Sequence, residues 1–328
     1  MIVVYRATGR GLERAELGLD QPVPPEAVWV DLVEPTRAEE VLVERSLGVD
    51  LPTREEMQEI ELSSRLYEAA GRLFMTVPVM VKSDTTTPET APVTFVLCDG
   101  RLVTLRYADP RSIAAYAARA RQLGAEAGHG TQVFLGLVEA IVDRAADVLE
   151  RIGAEVDAIS AVVFAAPPAR PGKGQDFQEV LRRIGRTGDL GSKARESLVG
   201  LGRVAAFASQ HVERGRIAGA PGDAAQRLHS IGQDVHALTD HATYLSGKIN
   251  FLLDATLGMI NIEQNAIIKI FSVAAVMFLP PTLIASLYGM NFEFMPELHW
   301  HWGYPLVLLA MLVSAIVPYL FFRRRGWL

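Results

Sequence analysis

Ile270-Phe271-Ser272-Val273-Ala274-Ala275-Val276-Met277-Phe278-Leu279-Pro280-Pro281-Thr282-Leu283-Ile284-Ala285-Ser286-Leu287-Tyr288 runs for nineteen residues without a charged side chain. A second such stretch follows, from Tyr304 to Phe322, also nineteen residues long. At 1.5 Å per helical residue, each spans about 28 Å, close to the roughly 30 Å hydrocarbon core of a bilayer. Buried helices of a soluble core seldom run so far without a charge, and two in succession at one end are rarer still. The two stretches are therefore read as transmembrane helices over 270–288 and 304–322, joined by a short loop from Gly289 to Gly303.

The flanks set the expected orientation. The loop carries Glu293, Glu297, His299 and His301 but no Lys or Arg, whereas Lys269 precedes the first span and Arg323, Arg324 and Arg325 follow the second. By the positive-inside rule the loop faces outward and both termini face the cytoplasm of a plasma (inner) membrane. The opening Met1-Ile2-Val3-Val4-Tyr5-Arg6 lacks the basic start and apolar run of a secretory signal, so some 270 residues are expected on the cytoplasmic side. The chain of 328 residues has a formal charge of -6; residues 270–328 carry +1, leaving -7 for residues 1–269. That acidic balance argues against a nucleic-acid partner, which would call for a basic face. A single cysteine, Cys98, excludes an internal disulfide framework and a Cys-rich zinc module.

The cytoplasmic part divides by pattern. Ala27-Val28-Trp29-Val30-Asp31-Leu32-Val33 and Leu73–Val81 are β-branched and aromatic runs suited to strands. Val93–Leu97 and Leu102–Arg106 flank Cys98-Asp99-Gly100-Arg101, a hairpin signal. Thr36 with Glu39, and Thr53 with Glu56, have the spacing of helix-starting capping boxes. From about Thr131 the period becomes helical: Val138, Ile141, Ala145, Val148, Ile152, Val156 and Ile159 form one apolar stripe. Ala165–Gly174 reads as a loop, a second helical stretch runs to about Ala218, and Pro221-Gly222 ends it. After Asp223 nothing breaks the helix before the outer loop, since Pro280-Pro281 lie within a span, where kinks are tolerated. A continuous helix of 66 residues would be roughly 100 Å long and, weakened by Gly232, Gly247 and Gly258, would need neighbours. The expected fold is thus an α+β cytoplasmic domain over 1–110, then a helical region over 111–269 that includes a long stalk helix. Transmembrane helices over 270–288 and 304–322 and a basic tail over 323–328 follow, the whole being mainly α.

Enzyme motifs are missing: there is no glycine-rich phosphate loop, no G-x-S-x-G elbow and no H-E-x-x-H, so no catalytic residue is assigned. His236 and Asp240, four apart, and His229 have spacings that permit a stalk metal site, although solvated helix residues are the commoner arrangement. Cys98 has no adjacent base and reads as an inert thiol.

The outer loop is the informative segment. Tyr288-Gly289-Met290-Asn291-Phe292-Glu293-Phe294-Met295-Pro296-Glu297-Leu298 holds far more than a connector between two spans needs. With an apolar span before it and a second span with a basic Trp-Leu end after it, this segment resembles the outer loop of the CorA family of magnesium transporters, with its Gly-Met-Asn signature. The resemblance extends through Ile260-Asn261-Ile262-Glu263-Gln264-Asn265, Leu279-Pro280-Pro281-Thr282 and Arg323-Arg324-Arg325-Gly326-Trp327-Leu328. Near the start, Ala27–Pro35 is similar to the family's first domain, so the likeness covers the chain from end to end.

The resemblance implies a homopentamer in the lipid bilayer, with a single pore on the five-fold axis lined by the first span of each subunit. Gly289, Met290 and Asn291 would form the selectivity filter, with the Asn291 amide and Gly289 carbonyl as metal-facing oxygens, and Glu293 and Glu297 would draw divalent cations to the outer mouth. Asn265, Ile268, Ser272, Ala275, Leu279, Thr282 and Ser286 recur three and four apart on one face mixing small, hydroxyl and amide side chains. By resemblance Asn265, Leu279 and Thr282 match pore-lining positions, where the family often has Met in place of Leu279. An ordinary packing face rich in small residues has the same spacing; the loop signature is what favours a pore. The implied function is Mg²⁺ influx, with Co²⁺ or Ni²⁺ as further substrates, driven by the membrane potential and gated by cytoplasmic Mg²⁺; no cofactor is needed. Asp254 matches one of the family's stalk carboxylates. The other falls at Ser230 here, with Asp234 as a substitute. Two other readings are a zinc-transporting relative, suggested by His299, His301, His236 and His241, and a membrane-anchored scaffold or sensor that moves no ion.

Overall fold

The computed structural model describes residues 1–9, 11–122, 128–165, 176–217, 220–291, 295 and 300–327. Seven strands form one sheet: β1 (Ile2–Thr8), β2 (Gly11–Leu17), β3 (Ala27–Val33), β4 (Leu66–Ala69), β5 (Arg72–Val81), β6 (Glu89–Cys98) and β7 (Arg101–Arg106). Their order is β2-β1-β3-β7-β6-β5-β4, and β3–β7 is the single parallel pair among them. The expected β6–β7 hairpin forms around Asp99 and Gly100, at φ 47° and 79°. Both lie in the left-handed region that a two-residue hairpin turn matching the strand twist requires. β1, β2 and β4 lie outside the strands expected from sequence. β2 reads Gly-Leu-Glu-Arg-Ala-Glu-Leu, an edge strand whose exposed charges mask its period.

The short helices α1 (Arg37–Leu47), α2 (Arg54–Gln58) and α3 (Leu62–Arg65) interrupt the strand order between β3 and β4. Both expected capping boxes are present: Thr36 and Thr53 accept from the backbone N–H of Glu39 and Glu56, whose side chains accept from the threonine N–H groups. One face of the sheet, with Val4, Val30, Leu32, Val96, Val103 and Leu105, packs with Val43 and Leu47 of α1 and Met57 of α2. Alternation turns Trp29, Phe95 and Leu102 to the other face. There Trp29 meets Tyr116 of α4 (Arg111–Ala120), and Phe95 meets Phe134 of α5 (Gly130–Val163).

The whole expected stripe on α5, from Val138 to Ile159, is buried. α6 (Phe177–Glu213) returns along it with Val180, Ile184, Ala194, Leu198 and Leu201 inward. Gly136 marks the close approach of α4 and α5: a Cβ there would sit 2.3 Å from the Tyr116 ring. The segment between α5 and α6, apart from Ala165, lies outside the described residues. Ala224 begins α7, which runs unbroken to Tyr288 for 65 residues. Its early part buries Leu228, Ile231, Val235, Ala242, Leu245, Ile249 and Leu252, a seam spaced three, four or seven apart that supplies the neighbours such a helix needs. This compact unit comprises Met1–Leu253.

The second unit, Asp254–Leu328, holds the rest of α7 and α8 (Gly303–Arg324). Its composition is inverted: the apolar side chains point outward. Phe271 is 71%, Phe278 70% and Leu283 70% exposed, and α8 leaves Leu306, Leu309, Leu312 and Val317 exposed as well. Apolar surface on this scale is unfavourable in water and favourable in a bilayer. These are the transmembrane helices.

Candidate functional site

Rotation of about 100° per residue sorts the first span into faces. Val273 is its one buried residue, and Ala274, Met277, Pro280, Pro281, Ile284 and Tyr288 are half-buried; all seven lie on one side. Asn265, Ile268, Ser272, Ala275, Leu279, Thr282 and Ser286 lie on the other side, and every one is exposed. The covered side of α7 is narrow, and the exposed remainder carries both the small, hydroxyl and amide groups and large apolar side chains such as Phe271, Phe278 and Leu283. The Thr282 hydroxyl donates to the Phe278 carbonyl at 2.7 Å, satisfying its own donor inside an apolar stretch. Pro280 and Pro281 lack N–H groups, so the carbonyls of Val276 and Met277 receive no ladder bond from them.

The open face leads to Gly289. Its N–H donates to the Ala285 carbonyl at 2.9 Å, and the Met290 N–H reaches the Leu287 carbonyl at 3.4 Å, closing the helix. Asn291 follows outside the helix and is exposed. Glu293 and Glu297, the expected mouth acids, and His299 lie outside the described residues. At the far end of the hairpin the Lys269 ammonium stands 5.8 Å from the Trp327 ring centroid, which brings the start of the first span level with the end of the second. α7 and α8 are therefore antiparallel there, with Lys269, Arg323, Arg324 and Arg325 at one end and Gly289-Met290-Asn291 at the other.

The expected regulatory acids stand apart from one another in surroundings. Asp254 is exposed and forms no ion pair among the described residues. Asp234, also exposed, lies near acids of α5: partial desolvation, then Glu139, Asp147 and Asp234, hold the Asp143 carboxyl above the usual range against the opposing effect of Arg119. The spacing from Asp143 to Asp234 hid this proximity from the sequence. The stalk histidines do not converge: His236 pairs with Asp240 at 3.2 Å with both about three-quarters exposed, His229 contacts Gln233, and His241 lies beside Tyr244. Among the described residues no three His, Cys, Asp or Glu side chains gather as a metal site.

Sequence reasoning did not anticipate a buried polar network in the sheet. Arg106 grips Asp31 through two nitrogens, at 3.1 and 2.9 Å. Thr104 donates to Asp31 at 2.7 Å and accepts from the Trp29 indole at 2.8 Å. Burial lowers the Arg106 pKa, but its bonds to Asp31 prevail and raise it. This network anchors β3 to β7.

Comparison with known proteins places these features in a family. Residues 25–324 match the model of the CorA-like Mg²⁺ transporter proteins. The magnesium transport protein CorA of Escherichia coli strain K12 is 37% identical over 328 residues, covering all of both chains. The CorA magnesium transporter structure from Methanocaldococcus jannaschii superposes with a TM-score of 0.73 at 17% identity, over 100% of this chain and 99% of that one. The ZntB cytoplasmic domain of Vibrio parahaemolyticus shares the fold, with a TM-score of 0.55 at 8% identity over 79% of this chain and 97% of its own. With a family model spanning most of the chain and a full-length relative at this identity, the chain belongs to the CorA-like Mg²⁺ transporter family.

Proposed function

We propose that this chain is one subunit of a homopentameric, channel-like transporter that admits Mg²⁺ down the membrane potential. The observation that carries the reading is that Asn265, Ser272, Thr282 and Ser286 lie exposed on one face of an otherwise apolar span of α7 that ends at Gly289-Met290-Asn291. A face bearing amide and hydroxyl groups is costly against lipid and suits a water-filled path on a symmetry axis. Mg²⁺ sheds its water reluctantly, so a ring of neutral oxygens from Asn291 and Gly289 holds the hydrated ion through its waters and lets it go. Glu293 and Glu297 then concentrate cations at the mouth. An inside-negative potential supplies about 4.6 kcal/mol per 100 mV to a divalent ion, so no nucleotide is needed. Co²⁺ and Ni²⁺, of similar size and charge, are further substrates in this reading, and both termini face the cytoplasm.

Passive influx calls for a brake. In this proposal Asp254, with Asp234 as a second candidate, binds internal Mg²⁺ and holds the subunits in a closed arrangement. In this proposal the site takes ligands from more than one subunit; among the described residues of one chain no three metal-ligating side chains gather. The scattered histidines give the zinc reading no comparable support. The test is uptake into reconstituted vesicles carrying a cation-sensitive dye. Mg²⁺ accumulation that grows with an imposed inside-negative potential supports the proposal. Proton-coupled Zn²⁺ uptake, or no flux of any divalent ion, overturns it.

A further inference from the structure

The chain does not fray at the end of α8. The Trp327 N–H donates back to the Phe322 carbonyl at 3.1 Å and the Gly326 N–H to the Arg323 carbonyl at 3.2 Å, with Gly326 at φ 70°. This pair of bonds around a left-handed glycine is a Schellman motif, and the contact expected of it is present: Trp327 stacks on Phe322 at 5.3 Å. The turn swings the indole back under Lys269. Arg325 lies over the Phe321 ring at 5.1 Å. Four cations, Lys269, Arg323, Arg324 and Arg325, are thereby held at one level of the hairpin beside three aromatic rings. None of the four is ion-paired with a described carboxylate, although Arg elsewhere in the chain repeatedly is.

We propose that this folded turn is a headgroup site for an acidic phospholipid. The inference rests on the two apolar helices crossing the bilayer and is independent of which ion the protein moves. Guanidinium groups pair with phosphate through parallel N–H bonds, and a cluster of unpaired cations where a span ends attracts acidic headgroups. The rings decide between a lipid and a soluble anion. Trp and Phe beside the charges offer an apolar surface to the first part of an acyl chain, and indole favours the boundary between headgroup and hydrocarbon.

Trp327 reports on the site directly. The full-length protein is placed in vesicles containing brominated phosphatidylglycerol or brominated phosphatidylcholine. The quenching that disappears in Trp327→Phe is assigned to Trp327, and Trp300 and Trp302, at the opposite end of the hairpin, report insertion. The expected result is quenching of Trp327 at about tenfold lower mole fraction of the acidic lipid. Arg323→Gln/Arg324→Gln/Arg325→Gln and Lys269→Gln should reduce that preference. Gly326→Val keeps every charge but forbids the left-handed turn, so it should reduce the preference as well. Equal quenching by the two lipids in the unaltered protein overturns the proposal. So does a preference that survives in inserted Gly326→Val or in the charge variants, or one that millimolar inorganic phosphate abolishes.

Discussion

Cys98 shows how one residue's environment decides its chemistry. It is 3% exposed, and burial first, then the neighbouring Asp99, push its thiol up to about 11. At pH 8 the native chain presents almost no thiolate, so a disulfide reagent should label Cys98 only as fast as the protein opens. The linkage has a sign. The unfolded thiol ionises near 8.5, so the unfolded state loses its proton first, and native stability should fall as pH rises from about 8.5 towards 11. Labelling rates that track global unfolding below pH 8.5 are expected; rapid labelling of native protein would contradict the burial. The inert thiol was legible in the sequence, because Cys98 precedes an Asp-Gly turn with no base nearby. The Asp31–Thr104–Arg106 network was not legible. Asp31 lies more than seventy positions from Thr104 and Arg106 and meets them only because β3 and β7 pair in parallel.

At the scale of elements, local rules held where the signal is local. The Thr-x-x-Glu spacing announced both capping boxes, and each forms reciprocally. Thr36→Ala should therefore destabilise the Met1–Leu253 unit by about 1 kcal/mol, while Thr36→Ser should recover most of the loss. The check is a thermal melt of the detergent-solubilised protein; equal melting of all three forms would mean that the cap contributes nothing. The apolar stripe on α5 was readable for the same reason, since a period of three and four needs no knowledge of the partner helix. β2 and β4 escaped because short strands at the sheet edges carry charged residues and lack a clean alternation, whereas β1 carries a strand signal, in the buried run Ile2-Val3-Val4-Tyr5, that went unread. For α7 the sequence predicted length and continuity. It did not reveal which side of the span would be covered, namely the one with Val273, Met277 and Ile284.

For the whole molecule, the division of labour follows from where apolar surface is hidden. The Met1–Leu253 unit buries its apolar residues between sheet and helices, whereas the Asp254–Leu328 unit exposes them to the bilayer. Asp254 opens the second unit, about 22 Å along α7 before Lys269, which in the proposed topology would suit a brake on the cytoplasmic side. Asp254→Ala should leave conduction intact and raise about tenfold the internal Mg²⁺ needed to close the transporter. Uptake into vesicles preloaded with none or with millimolar Mg²⁺, at matched driving force, measures this. Equal inhibition of both forms would remove Asp254 from the mechanism. Gly289-Met290-Asn291 could be read as a candidate filter because it is contiguous; the proposed regulatory acids, Asp234 and Asp254, stand twenty positions apart and form no contiguous motif.

The most direct test of the central claim is the initial rate of potential-driven Mg²⁺ uptake by Asn291→Ala in reconstituted vesicles, against the unaltered protein at equal inserted amount. Each subunit loses one amide oxygen from the mouth, so uptake should fall to the level of empty vesicles while insertion and assembly are kept. Uptake by inserted, assembled Asn291→Ala at the unaltered rate would contradict the account.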